Sequence, residues 1–92
     1  SFIMCHLYSS TSPSLYETTT RSVRIEGAVT SIRLENHFWN IIDEIAESEE
    51  SSTPKFLSDL YREVVIRRGE TGNFASLLRV VCTVYLEKIT TT

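Results

Sequence analysis

Residues 30–46 read TSIRLENHFWNIIDEIA, and within this stretch the spacing of the apolar residues changes. Ile32 and Leu34 alternate with polar residues, which predicts a half-buried β-strand with one face toward a core. From residue 36 onward the apolar residues recur with helical spacing, at Phe38, Ile41, Ile42, Ile45 and Ala46. The stretch therefore predicts a short strand that leads directly into a helix over residues 36–48.

Two more helices are predicted downstream. Thr53-Pro54 is typical of a helix start, because a Thr side chain accepts from free backbone amides and Pro suits the first turn. This second helix is expected to end at Gly69, where a left-handed residue closes it. Asn73 is suited to capping a third helix, whose apolar residues repeat as far as Leu86. The fold class is therefore mainly α with a short β-ribbon.

The predicted strand needs a partner. Residues 22–25 also alternate, and Gly27 marks a bend between them and residues 30–34. An isolated strand of this length has unpaired backbone groups, so it pairs either with the upstream stretch or with the same strand of a second chain. The sequence leaves both pairings open.

The N-terminal region lacks such periodicity. Residues 5–20 are rich in Ser and Thr, with scattered aromatic residues, so we expect residues 1–20 to form an extended arm. The domain itself is expected over residues 21–92. Residues 1–3 precede Met4, and we expect these three residues to be an expression remnant.

The 92 residues have an ordinary globular composition, with 41% hydrophobic residues, a net charge of −3 and a pI near 5.3. No apolar run reaches the roughly 20 residues that span a bilayer, and the first residues lack the pattern of a signal peptide. We therefore expect a cytoplasmic protein. Basic residues cluster at Arg21, Arg24 and Arg33, and acidic residues cluster over residues 43–50. A basic patch is thus compatible with the acidic total.

The sequence contains no set of residues that indicates an enzyme, a cofactor or a metal. It has no Gly-rich phosphate loop and no nucleophile motif. Cys5, His6, His37 and Cys82 do not have the spacing of a zinc site, and Cys82 lies on the apolar stripe of the third helix. Both cysteines are expected to be reduced thiols.

Four segments occur in a characteristic order. They are TRSVRIEG from residue 20, TSIRLE followed by Phe38-Trp39, EIA at residues 44–46, and NFAS followed by LRV within residues 73–80. Together they span most of residues 16–88 and resemble a bacterial family of small, largely uncharacterised ribbon-helix-helix proteins. The wider superfamily includes the Arc and methionine repressors. The resemblance therefore implies an intertwined ribbon-helix-helix homodimer, here with an additional C-terminal helix.

In that superfamily a strand from each subunit pairs antiparallel, and the two-stranded ribbon enters the major groove of DNA. By position, the resemblance implies base contacts by Ser31, Arg33 and Glu35. It also implies a phosphate site at the start of the second helix, formed by Ser52, Thr53 and Lys55. If the upstream stretch is an arm, Arg21 and Arg24 are expected to grip the DNA backbone.

The predicted dimer interface combines the strand with the first helix. Across a two-fold axis, each strand residue is expected beside the same residue of the second chain, above the apolar face of the first helix. An aromatic residue is expected at the contact between the two chains. The residues expected there are Ile32, Leu34, Phe38, Trp39, Ile41 and Ile42.

Two functions follow from the two possible partners of the strand. A two-stranded ribbon with Arg33 outward favours a DNA-binding transcriptional regulator. If the upstream stretch pairs with this strand within each subunit, the dimer has a four-stranded sheet. With strands about 4.8 Å apart, that sheet exceeds a groove roughly 12 Å wide, and insertion into the groove fails. The acidic pI, Glu35 and the apolar third helix favour the alternative, a protein-interaction or antitoxin-like dimer that does not bind DNA.

We predict an obligate homodimer, since a lone strand over residues 30–34 leaves backbone groups unpaired and buries Ile32 and Leu34 poorly. Stability should then rise with protein concentration. Sedimentation equilibrium checks this prediction, and a folded monomer at micromolar concentration would contradict it.

Overall fold

The computed structural model describes the backbone of residues 2–91 and the side chains of residues 4–91. In order, this part contains α1 (Phe2–Ser9), α2 (Pro13–Tyr16), β1 (Thr18–Ile25), β2 (Ala28–Glu35), α3 (Asn36–Ser48), α4 (Thr53–Arg68) and α5 (Phe74–Thr91). Residue 1 and the side chains at positions 2 and 3 lie outside the described part. The expectation that residues 1–3 are an expression remnant therefore stays a prediction.

β1 and β2 form an antiparallel hairpin within one chain, and this pairing answers the question that the sequence leaves open. Glu26 and Gly27 join the strands with φ angles of 51° and 82°. Positive φ at both central positions is what a type I′ turn requires, and this turn matches the twist of the two strands. The predicted bend at Gly27 is confirmed. The strands, at eight residues each, are longer than the alternating stretches indicate.

One face of the hairpin packs on the helices. Val23 and Ile25 of β1 and Ile32 and Leu34 of β2 are at most 5% exposed. The other buried residues of the core come from α3, α4 and α5, and they are Trp39, Ile41, Ile42, Ile45, Ala46, Leu57, Leu78 and Cys82. The core therefore closes within a single chain.

This closed core removes the argument for an obligate dimer. That argument assumes that the strand has no partner within the chain, yet β1 supplies one, and Ile32 and Leu34 are 5% and 0% exposed. Of the six residues expected at a dimer interface, five are buried inside the chain, and Phe38 is partly buried against the same core. An intertwined homodimer stays a prediction, but the strand no longer requires it.

The predicted helices are confirmed, and their ends follow from their caps. α3 and α4 begin and end where the sequence pattern places them. Gly69 has a φ of 85°, and its amide donates to the carbonyl of Val65, as expected for a left-handed residue that closes α4. Asn73 caps α5, since its side-chain oxygen accepts from the amide of Ser76 at 3.1 Å. None of the described helices is long and apolar enough to cross a bilayer.

The prediction of an extended N-terminal arm is wrong for the described residues. α1 ends at a run of hydroxyl side chains. The hydroxyl groups of residues 9–11 donate to the backbone carbonyls of residues 6–8, which are among the carbonyls that a helix end leaves without a backbone partner. Pro13 begins α2, since its fixed φ suits the first turn of a helix. α2 packs against α3, and the side-chain nitrogen of Asn36 donates to the carbonyl of Ser14 at 2.9 Å. Residues 9–11 therefore mark a helix end, whereas residues 18–20 already belong to β1, so the domain begins before the predicted boundary at residue 21.

Leu34→Asp should abolish folding, because this side chain is 0% exposed and the substitution buries a charge without a partner. Arg33→Ala, on the exposed face one position away, should keep the free energy of unfolding within about 0.5 kcal/mol of the parent value. Urea denaturation followed by Trp39 fluorescence measures both changes. A folded Leu34→Asp protein would contradict this description of the core.

Candidate nucleic-acid interface

The outward face of the hairpin is the best candidate for a nucleic-acid interface. Residues directly opposite each other in an antiparallel pair share a face, so the register assigns eight residues to the side away from the helices. They are Thr18, Thr20, Ser22, Arg24, Val29, Ser31, Arg33 and Glu35. All of them except Glu35 are exposed. The face is thus a two-stranded surface of hydroxyl groups with two arginines.

Arg24 and Arg33 are the cations of this face. Arg33 Nε donates to Thr18 Oγ1 at 3.0 Å, and a terminal nitrogen of Arg24 donates to the Gly27 carbonyl at 3.0 Å. Neither guanidinium forms an ion pair with a carboxylate of the described residues. Since each guanidinium has five N–H donors, both keep most of them for a ligand.

Glu35 lies at the end of the same face, but α5 neutralises it. Arg79 Nε donates to Glu35 Oε1 at 3.0 Å, in an ion pair whose side chains are 38% and 31% exposed. A backbone hydrogen bond at Glu35 itself, followed by the Arg79 contact, lowers the pKa of this carboxyl group. Glu35 is therefore ionised with a cation beside it, which reduces its repulsion of phosphate.

Arg21 lies on the opposite face of β1, toward the helices. Its guanidinium donates two hydrogen bonds to Asp43, at 2.8 and 3.0 Å, and lies 4.4 Å from the ring centroid of Trp39. Thr53 Oγ1 donates to the same carboxylate at 2.8 Å, and Trp39 Nε1 donates to the Thr19 carbonyl at 2.8 Å. These contacts tie β1 to α3 and to the start of α4. The expectation that Arg21 grips the DNA backbone does not fit this placement.

The three residues expected to hold a phosphate lie together at the start of α4, but each has a partner within the chain. Ser52 Oγ accepts from the Lys55 amide at 3.2 Å, so Ser52 and not Thr53 caps the helix. Thr53 donates to Asp43, and the Lys55 ammonium pairs with Asp59 at 2.7 Å. Two carboxylates this close to the helix start disfavour a phosphate ligand there.

Over the residues that the structure describes, no group of three or more Cys, His, Asp or Glu side chains is placed to hold a metal ion. Cys82 is buried, and its thiol donates to the Phe38 carbonyl at 3.6 Å. Burial raises the pKa of this thiol to about 11, so it stays protonated and unreactive at neutral pH. Cys5 is exposed on α1.

Sequence patterns give no sign of the roles of Asp43 and Arg79. Asp43 is one of several carboxylates on the polar face of α3, and its partner Arg21 lies 22 positions away. Arg79 and its partner Glu35 are 44 positions apart. Separations of this size lie beyond the reach of helix or strand periodicity, so the sequence pattern does not pair these residues.

A ribbon strand followed by two helices is the element order of the ribbon-helix-helix class of proteins, and β2, α3 and α4 have this order. The ribbon-helix-helix domain family matches residues 18–86, which is most of the chain, and the protein belongs to this family. The resemblance to this family and the predicted fold, mainly α with a β-ribbon and an additional C-terminal helix, are therefore confirmed, whereas the intertwined homodimer stays a prediction.

One solved structure is similar to this protein over most of its length. It is that of an uncharacterised protein from Bordetella pertussis Tohama I, with 38% sequence identity and a TM-score of 0.87. The match covers 90% of this chain and 66% of that one, so this chain spans slightly less than two thirds of the relative's length. No curated protein sequence matches the chain.

Arg21→Gln should lower the free energy of unfolding at neutral pH by about 1 kcal/mol, because it removes a half-exposed ion pair and a cation–π contact. The hydrogen bonds from Arg21 lower the pKa of Asp43. The stability from this pair is therefore present above the ordinary aspartate pKa of about 3.9 and is lost as the pH falls through the lower pKa of the folded chain.

Urea denaturation at neutral pH and near pH 3, below the ordinary aspartate pKa of about 3.9, measures this effect. The difference between the parent and Arg21→Gln should shrink at the lower pH. Arg24→Gln is the matched control, since it makes the same change of charge on the outward face and should alter stability little. An equal loss for both variants would contradict the role given to Arg21.

Proposed function

We propose that the protein is a DNA-binding regulator that places its β1–β2 ribbon in the major groove. The observation that carries the proposal is the exposed two-stranded face with Arg24 and Arg33, neither of which is ion-paired within the described chain. Family membership supports it, since ribbons of this class read the major groove. The difference from the superfamily pattern is that both strands come from one chain.

The dimensions of the ribbon suit this role. A major groove roughly 12 Å wide admits a two-stranded ribbon, whose strands lie about 4.8 Å apart. Strands of eight residues extend over about 27 Å, which is somewhat less than one turn of B-DNA. The ribbon therefore matches a single half-site, and it needs no strand from a second chain.

Arg33 is the proposed base-reading residue. Its terminal nitrogens suit the O6 and N7 acceptors of guanine, and Ser31 on the same face is able to donate or accept beside it. Arg24, close to the turn, is suited to a phosphate contact. Because the net charge of the protein is −3, DNA binding depends on the local positive charge of Arg24 and Arg33. The ion pair of Glu35 with Arg79 increases this local positive charge, since it neutralises the carboxylate of the same face.

A homodimer compatible with this proposal uses a surface other than the strand edges. Edge-to-edge pairing of two hairpins makes a four-stranded sheet, which is too wide for the groove. α5 offers exposed apolar side chains one turn apart, Val80 at 56% and Val84 at 41% exposure. A two-fold contact through this face would leave both ribbons free for two half-sites.

The same apolar residues favour a second candidate function, a protein-interaction or antitoxin-like module. On α1, Leu7 and Tyr8 are also exposed, at 59% and 64%. Large apolar side chains exposed on two helices are typical of a surface that meets another protein. In this function the ribbon binds no DNA.

Arg33→Ala should weaken binding to a selected DNA site by about 1–3 kcal/mol and relax the preference at one base pair, because it removes a bidentate guanine contact. Arg24→Ala should weaken binding to all sequences and reduce its salt dependence, because it removes a phosphate contact. Selection of sites from genomic fragments identifies the target, and fluorescence anisotropy over a series of KCl concentrations measures both effects.

Arg68→Ala is the matched control for both substitutions. Arg68 is exposed at the end of α4, lies off the ribbon and forms no ion pair with the described residues, so its loss should change affinity little. No enriched site, together with no retention on any duplex at low salt, would contradict DNA binding and favour the protein-interaction function.

A further inference from the structure

An open groove of about 440 Å³ lies at the corner where α3 ends and α4 begins. It is lined by residues 49–51 and by one face of α4 over residues 55–63. None of these residues belongs to the ribbon, so the groove is a separate surface from the proposed DNA interface.

The floor of the groove is apolar. Phe56 and Leu60 lie one turn apart on α4, and both pack against the core from its edge. Each is half-buried by the residues that the structure describes, so each keeps apolar surface toward the groove. This floor favours an apolar side chain of a ligand, since contact removes that surface from water.

The rim of the groove is acidic. Glu49 and Glu50 lie at the α3 end, and Asp59 and Glu63 lie along α4. Lys55 also lines the groove and pairs with Asp59 at 2.7 Å, and Glu63 pairs with Arg67 at 4.0 Å, whereas Glu49 and Glu50 form no ion pair with any described residue. The α3 end of the rim therefore carries two carboxylates that the chain itself does not neutralise.

Both carboxylates occupy positions where the fold favours other residue types. They follow the C-terminus of α3, where the helix dipole is negative and the last turn has no basic residue. Glu50 has a φ of 54°, in the left-handed region that favours glycine, and the Ser51 amide closes the turn on the Ala46 carbonyl at 2.9 Å. Departures from local preference that coincide at one place are typical of a functional surface.

We propose that this groove binds a cationic, amphipathic segment of a partner protein. An apolar side chain of the segment rests on Phe56 and Leu60, and flanking Lys or Arg side chains pair with Glu49 and Glu50. The charge of the rim selects this occupant. A second copy placed across a two-fold axis brings like carboxylates together, and a nucleic acid brings phosphates.

The binding is tested with the full chain and helical peptides of about 14 residues. The first peptide carries Leu at positions i, i+3, i+4 and i+7 with Lys on the flanks; the second has Glu for every Lys, and the third has Ser for every Leu. Fluorescence anisotropy should show the Leu/Lys peptide binding at least about tenfold more tightly than either of the others, and less tightly as KCl rises. If the third peptide, with Ser for every Leu, bound as tightly as the Leu/Lys peptide, the binding would be non-specific charge attraction. That result would overturn the proposal.

Glu49→Gln/Glu50→Gln should weaken binding of the Leu/Lys peptide by about tenfold, since it removes both unpaired carboxylates of the rim. The matched control is Glu70→Gln/Glu87→Gln, which changes the net charge equally at exposed positions outside the groove and should alter affinity less than about twofold. All four positions are exposed, so each double variant should fold.

Three outcomes would overturn the proposal. The first is equal weakening by the two double variants, and the second is no binding of the Leu/Lys peptide at any KCl concentration. The third is self-association, detected by sedimentation equilibrium, that the groove variant changes and the control variant does not. That result would assign the groove to a second copy of the chain.

Discussion

The pairing of β1 with β2 inside one chain is the interaction on which the rest of this structure depends. It satisfies the backbone groups of β2, and it brings Val23 and Ile25 beside Ile32 and Leu34 over α3 and α4. In the superfamily pattern the partner strand comes from a second subunit. Here the turn through residues 26 and 27 links the two strands covalently, so the ribbon forms without dependence on protein concentration.

The hairpin also separates the roles of the arginines, because alternate residues of a strand face opposite sides. Arg21 faces the helices, where Asp43 and Trp39 hold it, and it fastens β1 to α3. Arg24 and Arg33 face away from the helices on the exposed side. Cations that are close together in the sequence therefore serve different purposes, one in stability and two in the candidate interface.

Positive and negative charges also lie on different surfaces of the molecule. The ribbon carries Arg24 and Arg33, with Glu35 neutralised by Arg79, whereas the α3–α4 corner carries Glu49 and Glu50 without ion pairs among the described residues. A net charge of −3 conceals this arrangement, since it sums two surfaces of opposite sign. The two proposed ligands, DNA at the ribbon and a cationic segment at the α3–α4 corner, match these two charges.

The sequence by itself determined β2, α3, α4 and α5, because apolar periodicity and capping residues such as Gly69 and Asn73 act over only a few positions. It did not determine the helices before β1, where Ser and Thr residues close helix ends and resemble an unstructured arm. The tertiary structure alone decided which strand pairs with β2 and which surface each of Arg21 and Glu35 meets. The strand pairing joins residues up to 17 positions apart, and the partners of Arg21 and Glu35 lie 22 and 44 positions away. A local pattern carries no information about which of several candidates a residue at such a distance meets.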